Sequence, residues 1–101
     1  MTVHKLHNSQ LQGLIRSIAA DSARVYFTNH ARARMRLRHV TQEIVIEVLQ
    51  HGKLAGIPEP NAVRGSLECW MERYCTGRQI RVVAAISDEN PDLVVVTVIE
   101  L

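Results

Sequence analysis

The chain reads as an α+β domain, with N-terminal helices packed on a C-terminal antiparallel sheet. Three observations predict this. As far as residue 51, apolar residues recur mostly at helical spacing. From Ser66 onward the chain changes to runs of strand-forming residues separated by turn signals. Helical and strand segments are grouped instead of alternating, which is the α+β order.

The first helix is predicted over 8–20, where Leu11, Leu14, Ile15 and Ile18 form one apolar stripe and Asn8 or Ser9 can cap the start. Gly13 weakens it and Asp21-Ser22 ends it. Val25-Tyr26-Phe27-Thr28 is a short extended segment. Thr28 or Asn29 can cap a second helix over 30–38, which His39-Val40 breaks. Thr41 is the N-cap of a third helix over 42–51, with Ile44, Val45, Val48 and Leu49 inward and Gly52 as a left-handed stop.

Residues 53–65, with Gly56, Pro58, Pro60 and Gly65, read as a loop or ragged edge strand. An open edge there would invite pairing with a second copy or a partner chain. Three strands follow, over 66–75, 79–87 and 92–100. Thr76-Gly77 makes the first hairpin turn and Asp88-Glu89-Asn90-Pro91-Asp92 the second. The run from Val94 to Ile99 is apolar on both sides, which predicts a central strand covered on both faces. Val45, Val48, Leu49, Ile80, Val82, Ile86, Val95 and Val96 are the expected core.

With 101 residues, 47% of them hydrophobic, the chain can build one domain with its own core. The aromatic residues are only Tyr26, Phe27, Trp70 and Tyr74, too few for a protein that stacks many bases of a single strand. No apolar run is long enough to span a bilayer, and the N-terminus, with His4, Lys5 and His7, has no apolar stretch resembling a signal peptide. The expectation is a cytoplasmic protein with no membrane contact. Cys69 and Cys75 are then reduced thiols, Cys69 in the core.

The charge is unevenly spread. The net charge of +2 comes from twelve Lys and Arg against ten Asp and Glu. Five arginines, Arg24, Arg32, Arg34, Arg36 and Arg38, crowd into residues 24–39, which hold no acid. The other basic residues share the rest of the chain with all the acids. A cationic patch carrying histidines suits a phosphate-bearing partner, RNA first of all.

The segment Phe27-Thr28-x-His30-Ala31-x-x-Arg34-Met35-x-x-Arg38-x-Val40-Thr41, followed by a helix ending at Gly52, resembles the bacterial domain-of-unknown-function family 4258. The Arg78-x-Ile80-x-Val82-Val83 and Val94–Val98 strands fit the same pattern. The resemblance covers 25–100 and leaves 1–24 as an added N-terminal helix of the single domain 1–101. The position after Arg38 is often Gly in that family and is His39 here. The family is in turn similar to the RelE- and BrnT-like toxins, small α+β domains that cleave RNA. This implies helices on an antiparallel sheet, catalytic groups on one sheet face, an mRNA target on the ribosome and an antitoxin partner.

Helical spacing puts His30, Arg34 and Arg38 on one ridge. Arg32 and Arg36 form a second ridge nearly opposite, in solvent, as further RNA-binding cations. Ala31 and Met35 lie between the ridges on one side, Ala33 and Leu37 on the other, and one of these pairs must face the core. RNA cleavage without metal needs a group that takes the 2′-hydroxyl proton, one that protonates the leaving 5′-oxygen, and cations for the accumulating charge. An imidazole, with an unperturbed pKa near ~6.5, can be either acid or base. His30 is the candidate proton carrier, and Arg34 and Arg38 can fork onto phosphate oxygens. Glu68, Tyr74 and Thr97 are candidates for the second proton carrier, and Arg81 for a further cation.

Competing readings stay open. His30 can be a capping or core histidine, and Arg34 and Arg38 can be tied to Glu43, Glu47, Glu68 or Glu72. The domain would then be a noncatalytic module whose basic helix docks an acidic protein, or a plain nucleic-acid-binding accessory. His4 and His7 have metal-like spacing, but two ligands at a terminus make a poor site. No nucleotide fingerprint is present, and neither metal nor cofactor is expected.

Overall fold

The computed structural model describes residues 2–89 and 92–101. Among these are three α-helices, Asn8–Ala19 (α1), Asn29–Arg38 (α2) and Gln42–His51 (α3). Five strands accompany them, Val25–Phe27 (β1), Lys53–Asn61 (β2), Ser66–Cys75 (β3), Arg78–Ile86 (β4) and Leu93–Glu100 (β5). No described helix is long and apolar enough to cross a membrane.

The sheet order is β1-β5-β4-β3-β2. Strands β2 to β5 form an antiparallel meander, but β1 pairs parallel with β5, Val25 opposite Leu93 and Phe27 opposite Val95. The sheet is therefore mixed, where an antiparallel one was expected. A three-residue strand separated from its partner by most of the chain carries no sequence signal for its direction. Residues 53–61 are an edge strand, and the turn begins only at residue 62. Its pairing with β3 is interrupted between Ala55 and Glu59, where Pro58 lacks the N–H that a ladder needs. The turn expected over 88–92 lies partly outside the described residues, at 90–91.

Local chemistry explains the helix ends. The Thr28 hydroxyl accepts from Ala31 N–H at 3.0 Å and the Thr41 hydroxyl from Ile44 N–H at 3.2 Å, each closing a first turn. For α1 the cap is His7, one residue before the expected Asn8. The Gln10 side chain accepts from His7 N–H at 2.9 Å, a bond that neither Asn8 nor Ser9 supplies. Helix α2 ends on His39, left-handed at φ 54°. Its N–H reaches Arg36 O, Val40 N–H reaches Met35 O at 2.9 Å, and buried Val40 and Met35 join the core. This is a Schellman closure with histidine at the position that favours glycine.

Gly52, expected to be left-handed, is extended at φ −74°, ψ 178°. Its reason is proximity: a Cβ there would stand 2.3 Å from Val48 O and 2.7 Å from Glu72 O. The Arg16 guanidinium donates to Gly52 O at 2.6 Å and ties α1 to this corner. The β3–β4 turn is left-handed at both Thr76 (φ 51°) and Gly77 (φ 77°), the primed geometry that suits the twist of a hairpin.

The helices cover one face of the sheet. Leu11, Ile15 and Ile18 of α1 and Val45, Val48 and Leu49 of α3 meet Cys69, Met71, Ile80, Val82, Val95 and Val98 in a single core. Helix α1 is integral to that core, although it precedes the family-like segment. Both cysteines are buried free thiols. Burial first, then the nearby charge of Glu68, pushes the Cys69 thiol up to about 12. Burial also raises the Cys75 thiol.

Strand β5 departs from two expectations. It is interior in the order, but helices cover only one of its faces, and Val94, Val96, Thr97 and Ile99 stay half-buried. Val96 is not in the core because it alternates with inward Val95, and β5 carries an extra residue there: Ala84 faces Val95 while Val83 faces Thr97, so Thr97 stays outward as well. The bulge shifts the inward phase from Leu93 and Val95 to Val98.

Two stability outcomes follow. Truncating fully buried Val48 to Ala should cost about 1–3 kcal/mol in urea denaturation, and the same change at Val96 under about 1 kcal/mol. His39→Gly should raise stability by about 1 kcal/mol, since the left-handed conformation strains any residue with a Cβ. A loss of stability in that variant would mean that the His39 side chain contributes contacts worth more than the relief of strain.

Candidate nucleic-acid interface

Helix α2 is placed by Thr28. Besides capping the helix, its N–H donates to Val95 O at 3.1 Å and its hydroxyl to Val96 O at 3.2 Å. The helix thereby starts on the β5 bulge and packs along β5 beyond the end of β1. Ala31 and Met35 face the core, while Ala33 and Leu37 face solvent.

The two basic ridges flank that buried stripe. On one flank His30 and Arg34 are exposed and Arg38 is half-buried, its Nε covered and without a hydrogen-bond partner among the described residues. On the other flank Arg32 and Arg36 are exposed. They line an open groove of 520 Å³ with His39, Thr41 and Gln42, so the start of α3, its positive dipole end, borders the same surface. Arg32 also lies over the Phe27 ring, 5.4 Å from its centre. Sequence reasoning missed this use of α3; the Thr41 cap immediately after the basic helix was the available signal.

Arginines elsewhere are mostly spoken for. Ion pairs join Arg24 to Asp92 at 3.0 Å, Arg73 to Glu47 at 3.2 Å, Arg78 to Glu100 at 2.8 Å and Arg81 to Glu72 at 2.5 Å. Among the described residues, Arg32, Arg34, Arg36 and Arg38 have no such carboxylate. Arg78 fastens the far end of α2: it donates to the carbonyls of Arg38 and His39 as well as to Glu100.

The sheet candidates share one face. Register puts Glu68, Tyr74, Arg81 and Thr97 on the side away from the helices, together with Trp70 and Glu72. Thr97 is on β5, the strand along which α2 runs; Arg81 lies one strand further, and Glu68 and Tyr74 two. Arg81 is occupied: it holds Glu72 and stacks on the Trp70 ring at 4.3 Å. Tyr74, 68% exposed, stands near the hairpin end of the sheet, whereas Glu68 is near the opposite end. These four residues are thus on a common face without forming one cluster. Among the described residues, no three His, Cys, Asp or Glu side chains are gathered so as to hold a metal ion.

The chain belongs to the family described as Domain of unknown function (DUF4258), whose model matches residues 27–100. No curated protein and no solved structure matches it significantly. The matched segment takes in α2, α3 and strands β2 to β5, so the basic helix is part of the family's domain.

The clamp at the end of α2 has a pH signature. The Glu100 carboxyl is held below the ordinary carboxylate range, first by the hydrogen bond from Arg78, then by the charges of Arg78 and Arg38. A carboxyl lowered in the folded state stabilises the fold above its ordinary range, and that contribution disappears as pH falls through the lowered value. Arg78→Met should therefore lower stability near neutrality and shrink the difference between neutral and acidic pH, checked by thermal melts across pH 2 to 7 (~5 units, spanning the carboxylate range).

Proposed function

We propose that this chain is an RNA-binding domain, similar to RelE- and BrnT-like toxins, that engages the phosphate backbone along α2. One observation carries the reading: the four arginines of α2 lack carboxylate partners among the described residues, while Arg24, Arg73, Arg78 and Arg81 all have them. A cationic surface left unpaired favours a polyanion through release of the counterions that surround it. Exposed His30, in the first turn of the same helix, is the candidate proton carrier for cleavage without metal, with Arg34 and Arg38 to stabilise the phosphorane. Thr97 is the sheet candidate best situated as its counterpart, because its strand carries α2.

A second reading has its own support. Leu37, 65% exposed, lies among arginines on the outward face of α2. An apolar side chain ringed by cations fits an acidic protein segment, such as an antitoxin, that would occupy the same helix.

The test is binding and cleavage of a single-stranded oligoribonucleotide and of ribosome-bound mRNA, with and without EDTA. Arg34→Ala should weaken binding severalfold and lower the slope of log affinity against log salt by about 0.7, one phosphate contact on a single strand. Arg34→Lys should restore binding in part, keeping the charge without the planar fork. His30→Gln should abolish cleavage and leave affinity within about twofold. Salt-insensitive binding, or binding indifferent to Arg34, would remove the reading. If Leu37→Ser alone abolishes capture of an acidic partner while RNA is neither bound nor cut, the docking-module reading replaces it.

A further inference from the structure

The bare face of the sheet holds a second feature, apart from the arginine ridges. At the end opposite the Thr76-Gly77 turn, strands β3, β4 and β5 enclose an open depression of 410 Å³, within the ~300–1,000 Å³ range of small-molecule sites. Its floor is apolar, from Ala85, Val94 and Val96. Ser66 and Glu68, two residues apart on β3 and so on one face, line its β3 side, and Asn61, Arg64, Ser87, Glu89 and Asp92 complete the polar lining. Ser66 is only 7% exposed, and its Oγ has no hydrogen-bond partner among the described residues. A buried hydroxyl left unsatisfied carries a desolvation cost that a bonded one does not. The Glu68 carboxylate likewise has no ion pair or hydrogen bond among the described residues.

We propose that this depression receives a nucleobase, guanine by preference. The proposal deepens the RNA-binding reading and rests on it. Val96 connects the two regions: its side chain lines the depression, and its carbonyl accepts the Thr28 hydroxyl at the start of α2. A strand whose phosphates follow α2 thus has a base-sized recess beside the helix start, near the turn that carries His30.

The chemistry selects the base. A flat, neutral ring can lie on the apolar floor, which a hydrated cation would not favour, and no metal-holding group of side chains is present among the described residues. An ionised carboxylate only accepts hydrogen bonds. Guanine offers it two adjacent donors, N1–H and N2–H, and turns O6 toward a hydroxyl donor. Ser66, held by no other bond among the described residues, can supply that donor by rotating about χ1. Uracil places its one N–H between two carbonyls that a carboxylate repels. Adenine and cytosine offer an amino group without the neighbouring imino donor. Phosphate is disfavoured here because three carboxylates, Glu68, Glu89 and Asp92, outnumber the single arginine of the lining, Arg64, which keeps the backbone on the α2 side.

The experiment titrates the whole chain with guanosine, inosine, adenosine and uridine, followed by amide NMR shifts. The same chain is then given five-nucleotide RNAs differing only in one central base. Guanosine should move the amides of Ser66, Glu68 and Val96. A central guanine should improve affinity about tenfold over adenine or uracil, and inosine, without the N2 amino group, should lose most of that gain. Ser66→Ala and Glu68→Gln should each flatten the base preference while keeping salt-dependent RNA binding and a native amide spectrum. Arg34→Ala should weaken all the RNAs alike and leave the preference for guanine intact.

Failure of the pocket and failure of the α2 reading are distinguishable. RNA binding that depends on Arg34 but ignores the central base overturns the pocket and leaves the phosphate reading standing. A guanine preference lost in Glu68→Gln, with no dependence on Arg34, supports the pocket and overturns α2 as the phosphate-binding element. Shifts at Ser66 and Glu68 produced by Mg²⁺ or spermidine but not by guanosine overturn the base assignment.

Discussion

The structure turns on one joint, where Thr28 meets the bulge at Val96. An extra residue in a strand leaves backbone groups outside the ladder, and a carbonyl there needs another donor. Thr28 provides it with its hydroxyl, bonds Val95 O with its own N–H, and accepts from Ala31 N–H to cap α2. One side chain therefore ends β1, starts α2 and fixes both to β5. The same bulge makes Val95 and Val98 both face the core and leaves Val96 and Thr97 both outward. The placement of the basic helix and the shape of the bare sheet face both descend from this local irregularity.

Charge is organised around that joint by allocation. Three carboxylates on the strands and on α3 are matched to arginines that brace the fold: Glu47 to Arg73, Glu72 to Arg81 and Glu100 to Arg78. Helix α2 receives none of them, and it has no acid of its own to offset its arginines. Repulsion among Arg32, Arg34 and Arg36 is tolerable because they are exposed to water, where the dielectric is high. The far end of the helix is treated differently: Arg78 satisfies its last carbonyls, and Arg38 lies within electrostatic reach of Glu100. The result is a helix held at both ends whose middle, Arg32 to Arg36, stays available.

Covering the sheet on only one face has a consequence for the other. The residues there must be soluble yet sit on a β surface, and the chain meets this with cross-strand pairs. Trp70 is shielded by the Arg81 guanidinium, which is itself held by Glu72. That arrangement uses Arg81 for stability and takes it out of the set of free cations. At the opposite end the pairing stops, and Ser66 and Glu68 remain without partners among the described residues, beside an apolar floor. The contrast between a satisfied end and an unsatisfied end is what separates scaffold from candidate site on this face.

Much of the local structure was legible from residue types alone. Helix positions came from spacing and caps, with Thr28 and Thr41 doing as their side chains dictate, and the Thr76-Gly77 turn from its need for positive φ. The stripe choice on α2 was an open alternative in the sequence. Ala31 and Met35 won over Ala33 and Leu37 because only they face the core once Thr28 pins the helix start. The concentration of arginines on α2 was visible in the sequence, but their lack of carboxylate partners was not, since partners come from strands far along the chain.

Three features belonged wholly to the tertiary structure: the parallel β1–β5 pair, the bulge at Val96 and the closeness that makes Gly52 necessary. The physical reason is common to them. A uniformly apolar run from Val94 to Ile99 has no alternation from which a bulge can be read, and strand direction and close approach are relations between distant segments. The sequence by itself determined the three helices, the caps that start α2 and α3, the strands from residue 66 and the charge of α2. Folding decided which faces were covered, which arginines were neutralised and which polar groups were left to meet a ligand, because those outcomes depend on what packs beside each residue.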